Sequence, residues 1–379
     1  EQTLVQTAQQ AFMKVLDKLL EGKKDGGGSP GGGSPGGGSP GGGKPEDPKG
    51  QLGNGAATPA GNQGNGTTIA KGDKAVPAAK AATGAEKSVT GQASVHEASR
   101  AKVDSVMARF EAGTNGEVTG IVNRIKPAVQ KGSELKLGDM AKPVEEANAR
   151  VEEFKKAIDA EKTRMDGEVS LAAAGKEKLG GHTAKPNSLE PTQYDLEGGK
   201  SLTERSGQAP KGPTAPQPFD PAAGVKAAED ALKAAEANKK LVADAQAALT
   251  ELNAFDKMPP EAKATLTKLI SPQIANMDAA LNDIISGSKS YIENMKAVKE
   301  HTEAAGKQLE ALVKENDKLQ EKVTEAYKKG AELSKEWHGT RPEEYLTKKK
   351  TAETAFETAG KEAKRGGSAA EKIKKTVIE

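Results

Sequence analysis

A hydrophobic repeat with a period of about 3.5 residues occupies the segment from Leu281 to Trp337. Apolar or small side chains recur in it at alternating steps of three and four, which places them on one face of a single long helix. The predicted seam consists of Leu281, Ile284, Met295, Val298, Leu309, Leu312, Asn316, Leu319, Val323, Leu333 and Trp337. A repeat maintained over this length predicts a left-handed coiled-coil interaction.

Two partners fit this seam, a second copy of the chain and another helix of the same chain. Asn316 at an a position is typical of parallel dimers, in which a buried amide fixes the register. However, Ile285 and Ile292 at e positions widen the apolar stripe, and a wide stripe suits packing inside a bundle. We therefore favour a monomeric bundle in which 225–255 folds back along 281–337, with self-association through 281–337 as the alternative. On this interpretation Asn316→Leu stabilises the protein, because it removes a partly buried amide from an apolar seam.

The composition favours an all-α fold with a thin core. Aromatic residues make up 3% of the 379 residues, whereas glycine and proline number 43 and 20. Large cores need bulky side chains, because each one removes a large apolar area from water. We therefore expect elongated helical bundle or coiled-coil segments separated by disordered Gly/Pro-rich linkers.

Glycine and proline divide the chain into alternating helical and linker segments. Three copies of GGGSP and a fourth copy altered by Lys44 run from Gly26 to Pro45, and they predict a flexible tether. The predicted segments are a short amphipathic helix at 1–22, a disordered Gly/Ser/Pro-rich linker at 23–92, a three-helix segment at 93–175, a Pro/Gly-rich linker at 176–221, a long helical hairpin or coiled-coil bundle at 222–340 and C-terminal helices at 341–379.

Local signals place the ends of the predicted helices. Ser94 opens an S-x-x-E capping box and predicts a helix start, whereas Gly175 predicts a helix end. Pro272 suits the first position of a new helix, and the pair Gly366 and Gly367 predicts an interruption of the last one.

The prolines that precede residue 221 indicate an extended, semi-rigid spacer. A proline-rich recognition ligand is the alternative interpretation of the same segment.

The sequence contains none of the motifs that mark common catalytic sites. It has no cysteine, and its four histidines lie far apart, so it predicts no metal site and no cofactor. Basic and acidic residues number 56 and 54, a balance that argues against nucleic acid as a partner. No apolar run is long enough to span a membrane. We therefore expect a non-enzymatic protein with a protein partner.

The Ala/Lys/Glu-rich helices on Gly-Ser-Pro tethers resemble, in composition, surface antigens and adhesins of bacterial and protozoan parasites. The resemblance implies a surface-exposed or secreted structural and binding protein, and a cell-surface or secreted location is favoured over the cytoplasm. Two other functions stay open. One is a secreted effector or translocator that binds a partner through its coiled coil, and the other is an intracellular coiled-coil scaffold. Because the chain begins at Glu1, we expect a processed form or a fragment.

Overall fold

The computed structural model describes residues 72–111, 116–130, 135, 137–180, 209–254, 256, 260–336 and 342–379. These residues contain six α-helices and no strand, so the all-α prediction is confirmed for them. The helices are α1 (Ala75–Glu111), α2 (Gly116–Gln130), α3 (Ala141–Gly180), α4 (Ala222–Ala254), α5 (Pro260–Glu336) and α6 (Pro342–Ile373), and a π-helical turn (Lys374–Ile378) follows α6. The predicted helix at 1–22 and the GGGSP repeats lie outside the described residues.

Helix α1 begins well before the predicted start, so the end of the predicted linker 23–92 is wrong. Residues 75–92 are helical, and Ser94 is an interior residue whose Oγ donates a hydrogen bond of 3.2 Å to Thr90 O. Alanine has the highest helix propensity, and this part of α1 buries alanine after alanine. The buried alanines are Ala75, Ala78, Ala79, Ala82 and Ala85.

Several other predicted breaks are also absent, because helices continue through the residues concerned. Helix α3 continues through Gly175, which lies against the Phe356 ring. Helix α5 continues through Pro272, which is exposed, so the carbonyl group left without an amide partner can face water. Helix α6 likewise contains Gly366 and Gly367, both buried.

The chain forms two compact units, each built from separate stretches of sequence. Unit 1 includes 95–133 and 238–280, and unit 2 includes 68–94, 134–237 and 281–379. The predicted segment 93–175 is therefore divided between the units. Likewise, 238–254 belongs with 260–280, which differs from the prediction that 225–255 folds back along 281–337.

In unit 1 polar contacts link the helices around buried apolar side chains such as Met107, Ile125 and Leu249. Arg124 of α2 forms an ion pair with Glu251 of α4. Arg100 of α1 donates a hydrogen bond of 3.2 Å to the carbonyl of Val129. Asn253 Oδ1, at the end of α4, accepts a hydrogen bond of 2.7 Å from Thr267 of α5.

In unit 2, α3 and α5 lie side by side and run in the same direction. Tyr291 donates its hydroxyl to the carbonyl of Met140 at one end, and Tyr327 donates to the carbonyl of Leu171 further along. Both partner numbers increase together, which requires parallel helices. The apolar face of α3, from Val144 to Ala172, thus packs against the face of α5 that carries the predicted seam.

Helix α6 runs antiparallel to this pair. Lys176 of α3 pairs with Glu357, whereas Asp159, more than four turns earlier in α3, pairs with Lys374. The rings of Tyr327 and Phe356 meet edge to face, with centroids 5.0 Å apart. Glycines 366 and 367 allow α6 to approach α3 and α5 closely, because a Cβ at Gly366 would overlap the Asn316 side chain.

Candidate functional site

Five buried polar side chains meet where the middle of α3 faces the middle of α5. We call them the polar cluster: Glu161, Arg164, Glu168, Asn316 and Gln320. The three residues of α3 are spaced by three and four, so one face of the helix carries all of them, and the two of α5 are spaced by four. Helical periodicity therefore aligns two polar patches that belong to otherwise apolar faces.

The cluster is organised around a buried ion pair. Arg164 Nε and Nη2 donate to the two carboxylate oxygens of Glu161 at 2.8 and 2.7 Å. Asn316 Nδ2 donates to the same carboxylate, at 2.7 Å from Oε1. Gln320 Nε2 donates to Glu168 Oε1 at 3.0 Å. Because Asn316 and Gln320 of α5 donate to the carboxylates of Glu161 and Glu168 of α3, these hydrogen bonds fix the register of α3 against α5.

Arg164 also reaches the edge of the cluster. Its Nη1 donates to Asp317 Oδ1 at 2.8 Å and to Gln320 Oε1 at 3.1 Å. Burial disfavours the charged guanidinium, but the hydrogen bonds and charges of Glu161 and Asp317 outweigh that effect and raise the pKa of Arg164. The cation is thus held in its charged form, with carboxylates on two sides.

A non-helical segment packs along the two parallel helices and ends at the cluster. We call residues 209–221 the proline-rich strap. The carbonyl of Pro210 accepts hydrogen bonds from Gln320 Nε2 at 3.1 Å and from Arg164 Nη1 at 3.4 Å. At the other end, the amide of Phe219 donates to Thr302 Oγ1 at 3.2 Å, and the Phe219 side chain is buried. The strap therefore runs antiparallel to α5.

The strap corrects the prediction that 176–221 is a linker that ends in a spacer. Residues 176–180 belong to α3, residues 209–221 are docked, and 181–208 lie outside the described residues. Prolines lower the entropy lost when an extended segment is fixed, and an extended segment has no internal hydrogen bonds. The polar cluster supplies two donors to the carbonyl of Pro210, which favours docking.

A cavity of about 440 Å³ lies between α3 and the strap. Arg164 and Glu168 contribute charged groups to its wall, Thr163 a hydroxyl, and Pro210 and Pro213 apolar rings. The hydrogen bonds of Arg164 to Glu161 and Asp317 occupy all three guanidinium nitrogens. The charged groups bind one another, and Arg164 and Gln320 also donate to the strap, so the arrangement is suited to holding the strap in place.

The structure places nine of the eleven predicted seam residues in buried positions. The buried ones are Leu281, Ile284, Met295, Val298, Leu309, Leu312, Asn316, Val323 and Leu333. Leu319 is half-buried, and Trp337 lies outside the described residues. Asn316 belongs to the polar cluster, and the others line the apolar faces of unit 2.

Sequence reasoning missed Glu161, Arg164 and Glu168 as functional residues. Charged residues at these spacings are common on solvated helix faces, so the α3 sequence alone does not distinguish a buried pair from an exposed one. A signal was nevertheless present, because the apolar steps of α3 pass directly through Glu161 and Glu168.

Two buried polar side chains of α5 provide contacts for non-helical backbone. Thr302 accepts the amide of Phe219, and Asn294 Oδ1 accepts the amide of Gly72 at 2.9 Å. These side chains satisfy backbone amides that would otherwise be buried without partners.

Within the described part of the chain, no helix is long and apolar enough to cross a membrane. The same residues contain no group of three or more His, Cys, Asp or Glu side chains placed to hold a metal ion. Comparison of the chain with protein-family models, curated proteins and solved structures finds no match.

Proposed function

We propose that the protein is a non-enzymatic helical binding protein, displayed at the cell surface or secreted. The observation that carries the proposal is the polar cluster, whose charged side chains bind one another and the strap. Such a cluster fixes the register of helices and strap. Burial of these charged groups costs desolvation free energy. In return the cluster specifies one packing arrangement, which is the role of buried polar groups in some helical assemblies.

A rigid scaffold of this kind supports binding through its outer surface. The apolar side chains of α5 in unit 2 are covered by helices of the same chain, whereas lysine and glutamate cover the outer faces. This distribution favours recognition by surface charge. It also weakens the alternative of an effector that binds a partner helix through 281–337, since that seam would first have to be uncovered.

Labelling of intact cells tests the proposed location. A membrane-impermeant amine reagent is added to cells that make the full chain, and labelled lysines are identified by mass spectrometry. We expect modification of exposed lysines such as Lys289 and Lys296 before lysis, or recovery of the chain from the medium. Labelling that appears only after lysis contradicts the proposal and supports the intracellular scaffold. A cytoplasmic marker protein reports whether the cells are intact.

A further inference from the structure

The outer face of α6 and the π-helical turn after it carry a row of cations. We call Lys361, Lys364, Arg365, Lys372 and Lys375 the basic row, and all five are exposed. Lys361, Arg365 and Lys372 follow steps of four and seven, so they lie along nearly one line on the helix. At a rise of about 1.5 Å per residue, the row is roughly 21 Å long.

The opposite face of the same stretch fixes the orientation of the row. Ala363, Gly366, Ala370 and Ile373 are buried against the rest of unit 2. The helix therefore cannot rotate to hide its cations without exposing this apolar face, so the row is a permanent feature of the surface.

Acidic residues nearby offset the charge of the row only in part, although Lys361 acts electrostatically on Glu357. Glu371 pairs with Lys375 at 3.5 Å, but Glu357 and Glu362 are engaged by lysines of α3 and α5. Among the described residues, Lys361, Lys364, Arg365 and Lys372 form no ion pair within 4.0 Å. The row thus keeps a local excess of positive charge in a chain whose net charge is only +2.

An exposed face of α5 shows the opposite pattern and provides a comparison within unit 2. There Lys289, Lys296 and Lys307 alternate with Glu293 and Glu300, which is typical of a solvated helix with balanced charge. The basic row of α6 differs from this balanced face of α5 because few acidic residues alternate with its cations.

We propose that the basic row binds a linear sulfated polysaccharide. An arginine and several lysines in a line offer charge-assisted hydrogen bonds to successive sulfate groups of an extended polyanion. The inference names a partner class for the proposed surface or secreted binding role and rests on that role.

The side chains around the row favour this partner over other polyanions. The aromatic residues of α6, Tyr345 and Phe356, are both buried, so the face has no platform on which bases could stack. The apolar residues of this stretch face inward, so it offers no amphipathic surface for insertion between lipids. Recognition by charge alone suits a sulfated chain, in which every repeat carries accessible anions.

The test measures binding of the full chain to heparin as a function of salt. We expect the wild-type protein to be retained on immobilised heparin at about 0.15 M salt. The triple variant Lys361→Gln, Arg365→Gln and Lys372→Gln neutralises the row and should weaken heparin binding at least about tenfold. It should also reduce the salt dependence of binding, because each contact between a cation and a sulfate group releases counterions. Desulfated heparin should not retain the wild type.

The matched control removes the same charge from α5 with Lys289→Gln, Lys296→Gln and Lys307→Gln. This variant should bind heparin nearly as the wild type does, and circular dichroism should show both triple variants folded. Equal weakening by the two variants, or no retention of the wild type, overturns the proposal. Tighter binding to single-stranded DNA or to phosphatidylserine vesicles at the same salt also overturns it. The heparin-binding results do not depend on cell labelling. Absence of heparin binding would therefore overturn the proposed partner and leave the proposed location untouched.

Discussion

Asn316 Nδ2 donates a hydrogen bond of 2.7 Å to Glu161 Oε1, which links the middle of α5 to the middle of α3. Both side chains are fully buried, and Glu161 also receives two hydrogen bonds from Arg164. The amide therefore helps to compensate a buried carboxylate. Its position in the seam, which sequence analysis interprets as a register signal between chains, serves to fix register within one chain.

Asn316→Leu should destabilise the protein, the reverse of what the sequence alone predicts. The substitution removes a donor from a buried charge and places a branched side chain against Gly366. Hydrogen bonds to charged groups contribute roughly 1.5–3 kcal/mol, so we expect a loss of at least about that size. Urea unfolding of the full chain measures it. Gln308→Leu, at an exposed position of the same helix, is the control and should change stability little. A stabilised Asn316→Leu protein would contradict the contact.

Gly366→Ala and Gly167→Ala should change stability in opposite directions. A Cβ at Gly366 would overlap Asn316 and lie 3.2 Å from Met165 Sδ, so α6 would have to move away. A Cβ at Gly167, in α3, would meet nothing within 4 Å. Replacing a helical glycine by alanine without such contacts stabilises by roughly 0.5–1 kcal/mol. Thermal unfolding of the two variants distinguishes them, and equal effects would argue against close packing at Gly366.

His96 should make the stability of the protein fall in mild acid. Its side chain is 1% exposed, and neither ring nitrogen has a hydrogen-bond partner among the described residues. Burial lowers the pKa of His96 from 6.5, with Glu97 opposing the change and Arg100 adding to it. The unfolded chain therefore takes up the proton first, and stability falls as pH drops through 6.5 toward the lower pKa of the folded state. The slope from this group is at most about 1.4 kcal/mol per pH unit.

Urea unfolding between pH 7.5 and 5.5 checks this expectation. His96→Leu should unfold with a weaker dependence on pH than the wild type, because the group that titrates is gone. Gln308→Leu, at an exposed position of α5, is the control and should keep the wild-type profile because it removes no titratable group. Identical pH profiles for the wild type and His96→Leu would show that His96 does not contribute.

Arg164→Met should destabilise unit 2 and release the strap. The change leaves Glu161 buried without its cation, which costs roughly 3–5 kcal/mol in such pairs. It also removes one of the two side chains that donate to the carbonyl of Pro210. We expect faster tryptic cleavage after Lys211, followed by mass spectrometry, together with a lower unfolding free energy.

A double variant separates these two effects. Glu161→Leu with Arg164→Met replaces the ion pair by apolar side chains and should recover part of the stability. It still lacks the arginine donor, so cleavage after Lys211 should stay faster than in the wild type. If cleavage returned to the wild-type rate, the strap would be held independently of Arg164.

The helical character of the chain was accessible from the sequence because it depends on local properties. Alternating apolar steps placed the part of α5 from Leu281 onward correctly, and nine seam residues are buried as an apolar face requires. The predicted helix end at Gly175 and the predicted interruption at Gly366 are wrong, because helices continue through both residues. A glycine that ends a helix and a glycine that lets a second helix approach have the same local sequence, and only the neighbouring helix distinguishes them.

The polar cluster and the strap were not accessible, because they depend on contacts between residues far apart in sequence. Arg164 and Gln320 are separated by more than 150 residues, and the periodicity of each helix gives no information about the other. The proline-rich segment has the composition of a spacer. It is ordered because two distant side chains supply donors to its backbone.

Leu333→Asp should lower the stability of the protein without changing its mass in solution. Leu333 is buried in an apolar cluster of the same chain with Tyr327, Tyr345 and Phe356, so a carboxylate there loses solvation inside one molecule. We favour a monomer because the seam of unit 2 is covered by its own helices. Sedimentation velocity should give the mass of a single 39.3 kDa chain at all concentrations, for the wild type and the variant. A wild-type dimer that dissociates in Leu333→Asp would contradict this expectation and support self-association through 281–337.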